Sequence, residues 1–274
     1  MKRIISILLI SAAASIQLSA QGLSSLVLPK NTAELGMGNI SPALVHHDND
    51  FGATVSYTQW SPAILENTLI GTSVFFKLTD ALELDLEFQQ NSGQEYSIID
   101  EVGSSSKKFT PKDFFGGLGV SYSLNDNFEV GVKGRFLSAN LGENLSETAI
   151  GIDVGANYIS NGITVGLGAC NLGTEVGMAK ADFLYKSEFG LNAGAEADIL
   201  FNGGIMASLG AEYGIKDIAF IRCGYHYGDN PLAIPSFASL GLGLKFVGIS
   251  LDATYLLASE ALGGTMMFGL GYSF

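Results

Sequence analysis

The chain has 274 residues, of which 14 are Lys or Arg and 27 are Asp or Glu, so its net charge is −13. This acidic balance excludes nucleic acid as a partner, because nucleic-acid binding needs a basic surface. Hydrophobic residues make up 47% of the chain, yet no run of about 18 apolar residues follows residue 20, which excludes a membrane-spanning helix. An apolar chain without such a helix forms either a large buried core or a membrane β-barrel.

The first twenty residues have the pattern of a secretory signal peptide. Lys2 and Arg3 precede an apolar stretch that begins at Ile4, and small residues lead up to Ala20, the expected cleavage site. We therefore divide the chain into a signal peptide (residues 1–20), an amino-terminal segment (21–50) that is either a plug or a first strand, and a barrel (51–274).

From Phe51 onward the hydrophobic pattern repeats every two residues, which is typical of β-strands. In the segment 82–90, for example, leucines and Phe88 alternate with acidic and amide side chains. Thirteen segments of this kind are present, most of them 9 to 12 residues long. Strands of soluble proteins average about five or six residues, so this length favours strands that cross a membrane. The predicted strands are 51–60, 67–77, 82–90, 113–124, 127–137, 148–159, 162–171, 187–199, 204–214, 218–227, 237–246, 249–257 and 265–274.

The connections predict one further strand. Tight turns alternate with longer loops along most of the chain, as in outer-membrane barrels, where the short turns face the periplasm. The alternation fails between 187 and 227, where two short connections follow each other. A missing strand in 22–50 or in 172–186, or a wrong segment near 187–227, would explain the failure. We predict an all-β, antiparallel barrel of 12 to 14 strands, with fourteen preferred.

The last strand indicates where the barrel resides. Met266, Phe268, Leu270, Tyr272 and Phe274 share one face, and small or polar residues occupy most of the other. A final strand that ends in Phe resembles the signal by which outer-membrane barrels are recognised for insertion. We expect signal-peptide-dependent export to the cell outer membrane, contact with outer-membrane lipid, and recognition of Phe274 by the barrel-insertion machinery.

Charged residues on the face opposite the apolar one should point into the lumen. Acids outnumber bases there, so we expect a cross-strand ion network that stiffens the barrel, with Glu212 and Arg222 as a direct pair. A water-filled path that prefers cations is the alternative. Many inward positions are glycines, which leave room for a plug or a passage. The lumen-facing candidates are Glu83, Asp85, Glu87, Glu129, Lys133, Arg135, Asp153, Glu196, Glu212, Arg222, Lys245 and Asp252.

The histidines and cysteines give little indication of a metal site, a disulfide or catalysis. His46, His47, Asp48 and Asp50 could bind a divalent ion, but a polar turn that anchors the amino-terminal segment is the preferred interpretation. Alternation places the two cysteines on opposite faces, so we predict free thiols. No arrangement of Ser, His and Asp suggests catalysis, and we expect neither an enzyme nor a cofactor.

Short motifs spread along the mature chain resemble the PorV/PorQ-type outer-membrane proteins, which are related to the FadL-like barrels. The motifs are ELGMG at 34–38, HDND at 47–50 followed by Trp60, PKD at 111–113, DVG at 153–155 with Tyr158, NLG at 171–173, GAEY at 210–213, RCGY at 222–225, and Asp252 with Tyr255. The resemblance implies a fourteen-stranded barrel with a role in type IX secretion, in which such proteins accompany cargo or attach it to the cell surface.

Two function classes therefore remain. The first is a protein that binds secretion-system components or secreted cargo, as the resemblance implies. Loop 91–112 bears on the choice between the classes, because Tyr96, Ile98, Ile99 and Phe109 make it too apolar to be purely solvated, which suits either a binding partner or a lid. The second is a FadL-like transporter of apolar solutes or a small cation-preferring pore.

Overall fold

A computed structural model describes residues 23–61, 66–99, 105–142, 145–229, 233–259 and 262–274. The predicted signal peptide lies outside these residues. Within them, fourteen antiparallel strands close into a barrel, which confirms the predicted fold. The strands in chain order are β1 (Phe51–Trp60), β2 (Asn67–Thr79), β3 (Leu82–Ser92), β4 (Tyr96–Ile99), β5 (Ser105–Phe109), β6 (Lys112–Asn125), β7 (Phe128–Gly142), β8 (Leu145–Ser160), β9 (Ile163–Leu172), β10 (Met178–Lys186), β11 (Leu191–Leu200), β12 (Ile205–Ile215), β13 (Ala219–Gly228), β14 (Phe237–Phe246), β15 (Ile249–Ala258) and β16 (Met266–Ser273), of which β4 and β5 form a separate hairpin.

The first and last strands close the barrel. β1 pairs with β16 along eight residue pairs, from Gly52 opposite Ser273 to Gln59 opposite Met266. The Phe274 carbonyl accepts hydrogen bonds from the amides of Asp50 (3.0 Å) and Phe51 (3.2 Å). Closure of this kind removes the exposed strand edges that would otherwise invite aggregation.

The outer surface is apolar. Side chains on the outward face are largely exposed, as at Leu242 (63%) and Leu209 (62%). Aromatic residues such as Phe128, Tyr158 and Phe246 lie near the ends of their strands. A continuous apolar wall of this size with aromatic residues near its edge is the surface that a transmembrane barrel presents to lipid. No helix among the described residues has the length and apolarity to cross a membrane.

The strand missing from the prediction is β10, within the segment 172–186. A strand hidden in this segment was one of the three explanations that the irregular connections left open, and the structure confirms it. Its outward face begins with Ala179 and Ala181, and its inward face begins with Met178, so the apolar alternation is weak. With β10 included, the turn at 201–204 and the turn at 216–218 lie at opposite ends of the barrel, and the alternation of connections is regular.

The two ends of the barrel differ. Tight turns at 80–81, 126–127, 161–162 and 247–248 lie at the end that carries Phe274. We name this end the periplasmic rim, because short turns face the periplasm in outer-membrane barrels, and the opposite end the extracellular rim. Loop 91–112 is not a simple loop, since it contains the β4–β5 hairpin above the extracellular rim.

The amino-terminal segment lies inside the barrel, and we name residues 23–50 the plug. It has a 3-10 helix (Leu23–Leu26) and a short α-helix, α1 (Thr32–Gly36), and contains no strand. The Asn31 side chain caps α1 by accepting hydrogen bonds from the amides of Ala33 (2.8 Å) and Glu34 (3.4 Å). The possibility of a first strand in this segment is therefore wrong.

Candidate functional site

Side chains of the barrel wall hold the plug by its backbone. The Thr254 and Ser239 hydroxyls donate to the carbonyls of Thr32 (2.8 Å) and Gly36 (3.0 Å). Further along the plug, Lys180 donates to the Ser41 carbonyl (2.7 Å). Thr254 lies on β15, Ser239 on β14 and Lys180 on β10. As the plug sequence advances it therefore contacts strands of decreasing number along the inside of the wall, before the chain enters β1.

Glycines of the wall mark the path of the plug. A Cβ atom at Gly210 would collide with the carbonyl of Met37, and one at Gly224 would collide with the amide nitrogen of Gly38. The plug backbone therefore passes directly over wall backbone at these positions, where no side chain fits. Several of the inward glycines, such as Gly155 and Gly168 beside Ala43, lie under this path.

The extracellular half of the lumen is filled by apolar side chains. Val27 of the plug packs against three buried clusters at once. The main members of these clusters are Leu35, Trp60, Leu69, Phe237, Leu256 and Met267 in the first, Leu26, Phe115, Leu137, Ala149 and Val176 in the second, and Cys170, Met178, Leu200 and Met206 in the third. Burial of these side chains stabilises the plug in its seat by the hydrophobic effect.

The middle of the lumen contains an ion network centred on Glu87. This carboxylate lies 3.2 Å from Lys30 Nζ, 3.4 Å from Lys133 Nζ and 3.6 Å from Arg135 Nη2. Lys133 also pairs with Asp85 at 2.6 Å, and Arg135 pairs with Asp153. The network joins the plug to β3, β7 and β8, so removal of one member would leave a buried charge without its partner.

Two smaller ion groups lie on the opposite wall. Arg222 Nε donates to Glu212 Oε2 at 2.6 Å, and its Nη1 donates to Asp252 at 2.5 Å. Lys180 of β10 lies 3.0 Å from Glu196, whose other oxygen accepts the Ser41 amide of the plug at 2.8 Å. Sequence reasoning missed Lys180 because it missed β10.

The remaining lumen-facing candidates lie near the periplasmic rim. The Glu83 carboxylate accepts a hydrogen bond from His47 Nδ1 at 2.7 Å, and the Glu129 carboxylate accepts one from His46 Nδ1 at 2.8 Å. Lys245 points inward and has no ion pair among the described residues. The structure thus places all twelve candidates on the inner face of the wall.

The two rim histidines anchor the last part of the plug. His47 stacks on the Phe75 ring with centroids 3.5 Å apart, and Asp48 pairs with Lys186 at 2.5 Å. The hydrogen bond to Glu129 raises the pKa of His46 above its ordinary value. Within the described residues, no three His, Cys, Asp or Glu side chains converge as metal ligands.

Two plug residues carry charges that burial disfavours. Burial, followed by repulsion from Glu196, raises the pKa of Glu34 from 4.5 to about 7. Burial and the neighbouring Arg135 lower the pKa of Lys30 to about 8, against the opposing attraction of Glu87. Neither residue was a candidate in the sequence, because the segment 21–50 has no periodic pattern that could place a side chain in the lumen.

The two cysteines and His226 do not form part of a reactive cluster among the described residues. Both thiols are free; Cys170 is buried inside the barrel and Cys223 is exposed on the outer face. His226 is buried, with Nδ1 2.9 Å from the Ser208 hydroxyl and its ring stacked 5.1 Å from Phe237.

The β4–β5 hairpin contains the four loop candidates. Tyr96 and Ile98 and Ile99 belong to β4, and Phe109 ends β5. The rings of Tyr96 and Phe109 lie 5.4 Å apart, and the Tyr96 hydroxyl donates to the carbonyl of Leu141 at 3.3 Å. The hairpin therefore rests on the top of β7 and leaves Tyr96 exposed.

Together these features define a transmembrane β-barrel whose lumen is closed by its own amino-terminal segment. A FadL homologue from Pseudomonas aeruginosa has a similar structure, with a TM-score of 0.57 over 90% of this chain and 96% of that chain at 15% identity. The toluene transporter TbuX of Ralstonia pickettii is also similar, with a TM-score of 0.65 over 90% of this chain and 99% of that chain at 10% identity. At these identities the likeness shows a shared fold. No family model and no curated protein sequence matches the chain.

Proposed function

We propose that this protein is an outer-membrane barrel that admits small apolar solutes, which was the alternative interpretation of the sequence. One observation carries the proposal: the extracellular half of the lumen is lined by apolar side chains, against which the plug packs through Val27 and neighbouring residues. When the plug moves, its apolar seat becomes a path for an apolar solute. The shared fold of the toluene transporter TbuX supports this proposal.

Toluene uptake by whole cells tests the proposal. A Gram-negative host with a toluene-oxidising enzyme and no FadL-type barrel is compared with and without this protein, and toluene loss from the gas phase is measured. We expect faster loss in the host that carries the barrel. Equal rates, with the barrel detected in the outer membrane, would reject the transport proposal, and a steady cation-selective conductance in planar bilayers would support a small pore instead.

The barrel also needs a route to the outer membrane. We propose export through cleavage of the signal peptide after Ala20, followed by insertion through recognition of Phe274. Amino-terminal sequencing of the mature protein should begin at Gln21. A mature protein that still contains residues 1–20 would contradict the route.

A second candidate function is binding of secretion components or cargo, as the PorV/PorQ-type motifs suggested. The comparisons give no support to that specific family, but the β4–β5 hairpin is a separate structural unit with an exposed aromatic residue above the extracellular rim. Deletion of the protein, followed by comparison of secreted and surface-attached proteins, tests this candidate. Unchanged export would reject it, whereas loss that is restored by the intact barrel and not by one without residues 95–109 would support it.

A further inference from the structure

A cavity of about 300 Å³ with both charged and apolar lining lies between the plug and the wall, and we name it the plug-floor cavity. It extends from Gly52 and Glu83, near the periplasmic rim, to Glu87 and Arg135 in the middle of the lumen. This volume is at the lower end of the range in which proteins bind small molecules. The cavity is separate from the apolar seat of the plug, so ligand binding in it does not depend on the proposed transport function.

Among the charged side chains that line the cavity, one acid lacks a basic partner. Its basic side chains, Lys30, Lys133 and Arg135, are all engaged in the ion network centred on Glu87. Glu83 has His47 as its partner. Glu34 of α1 also lines the cavity, and among the described residues its carboxyl group has no hydrogen bond and no ion pair. The cavity therefore contains one carboxyl group whose counter-ion the protein does not supply.

The opposite lining is apolar. Pro42, Leu44 and Val45 of the plug form one side, and Phe75 of β2 forms another with its ring held flat against His47. A ligand that fills the cavity must therefore combine a positive charge with a small apolar body. Because all other carboxyl groups in the cavity already have basic partners, the charge should lie at Glu34.

We propose that the plug-floor cavity binds a small amphiphilic primary amine, with its ammonium group paired to Glu34 and its apolar body against Leu44 and Phe75. The ammonium group would donate hydrogen bonds to the carboxylate, an arrangement stronger than a neutral hydrogen bond. No protein cation needs to move to make this pair.

The pH dependence of binding follows from the surroundings of Glu34. Glu196 and Glu87 repel its negative charge, Lys30 and Lys180 attract it, and burial outweighs both, so the pKa is about 7. An ammonium ion requires the ionised carboxylate. Affinity should therefore rise about tenfold between pH 6 and pH 8, since the ionised fraction rises by that factor.

Calorimetric titration of the purified barrel with benzylamine tests the proposal. Benzyl alcohol has the same shape without the charge, and we expect it to bind at least tenfold more weakly at pH 8. Glu34→Gln should weaken benzylamine binding at least tenfold and remove its pH dependence. Glu188→Gln, a matched change at an exposed acid of a periplasmic turn, should have no effect.

Three results would overturn the proposal. They are no benzylamine binding to the wild-type barrel, equal affinity for benzyl alcohol, and unchanged affinity in Glu34→Gln. If Glu34→Gln does not fold, Glu34→Asp takes its place, and the pH profile of the wild-type barrel must still show the tenfold rise. Toluene uptake is measured separately, so failure of amine binding is distinguishable from failure of the transport function.

Discussion

Replacement of Glu34 by Gln should stabilise the barrel at alkaline pH. The pKa of Glu34 is raised from 4.5 to about 7, because the carboxylate is desolvated inside the lumen and repelled by Glu196. The folded protein thus binds this proton more tightly than the unfolded chain does. Its free energy of unfolding must fall as the pH rises from about 4.5 to about 7, and the loss is complete above that range.

The size of the effect follows from the pKa shift. A difference of about 2.5 pKa units corresponds to about 3 kcal/mol at pH 8, at 1.36 kcal/mol per unit. Glutamine has nearly the same shape as protonated Glu34 and cannot ionise. The variant should therefore be more stable than the wild type by up to about 3 kcal/mol at pH 8, and the two proteins should be nearly equal at pH 4.5.

Urea unfolding of the barrel in lipid vesicles at pH 4.5 and pH 8 measures both differences. Glu188→Gln is the control, because this acid is exposed in a periplasmic turn and its loss should change stability equally little at both pH values. A Glu34→Gln variant that is less stable than the wild type at pH 8 would refute the reasoning. So would a stability difference that does not depend on pH.

Three further predictions concern the wall. Gly210→Ala should place a Cβ atom against the plug backbone and make the plug more accessible to protease, whereas Gly134→Ala should not, since its added Cβ meets open space. Arg222→Met should lower the free energy of unfolding, measured in urea, by about 3 to 5 kcal/mol, because the partly buried carboxylates of Glu212 and Asp252 lose their cation. Neutralising those two carboxylates in the same variant should recover most of the lost stability. Deletion of Phe274 should reduce the amount of barrel found in the outer membrane by immunoblotting, whereas Phe246→Ala, a change at another exposed aromatic residue of the same rim, should not.

The sequence predicted the wall well because a barrel wall has a strong local pattern. Period-two alternation placed β1 and β14 at their observed bounds and most other strands within a few residues. It failed at β10, where alanines on the outer face carry too little apolar contrast. Counting the connections nevertheless showed that a strand was missing, because a closed barrel with both ends at one rim needs an even number.

The plug was harder to predict for a physical reason. Its backbone is held by side chains of distant strands, such as Thr254 and Ser239, and by few contacts within the segment itself. The sequence of residues 21–50 contains no pattern from which those distant partners could be predicted. The inward glycines gave an indirect signal, because the absence of side chains at these positions predicted room inside the wall for a plug or a passage.

The same limit applies to function. The motifs that resembled PorV/PorQ-type proteins include several residues with structural roles in this barrel. Gly36 and Gly38 lie where the plug crosses the wall, and Arg222 forms an ion group with the acids of neighbouring strands. These roles fit any barrel plugged in this way, so the motifs alone do not distinguish a secretion protein from a transporter.

A disulfide between plug and wall tests the transport account most directly. A Cβ atom at Gly269 of β16 would lie 3.0 Å from the Cβ of Thr32 at the start of α1. A disulfide needs a Cβ–Cβ separation of about 3.5 to 4.5 Å, so the variant Thr32→Cys with Gly269→Cys can link after α1 shifts by about half an ångström. Cys170 and Cys223 are replaced by alanine in the same protein, and each single-cysteine variant is the control. We predict that oxidation stops barrel-dependent toluene uptake and that reduction restores it. Uptake that continues at the same rate with the plug locked to β16 would contradict the claim that an apolar solute passes where the plug now lies.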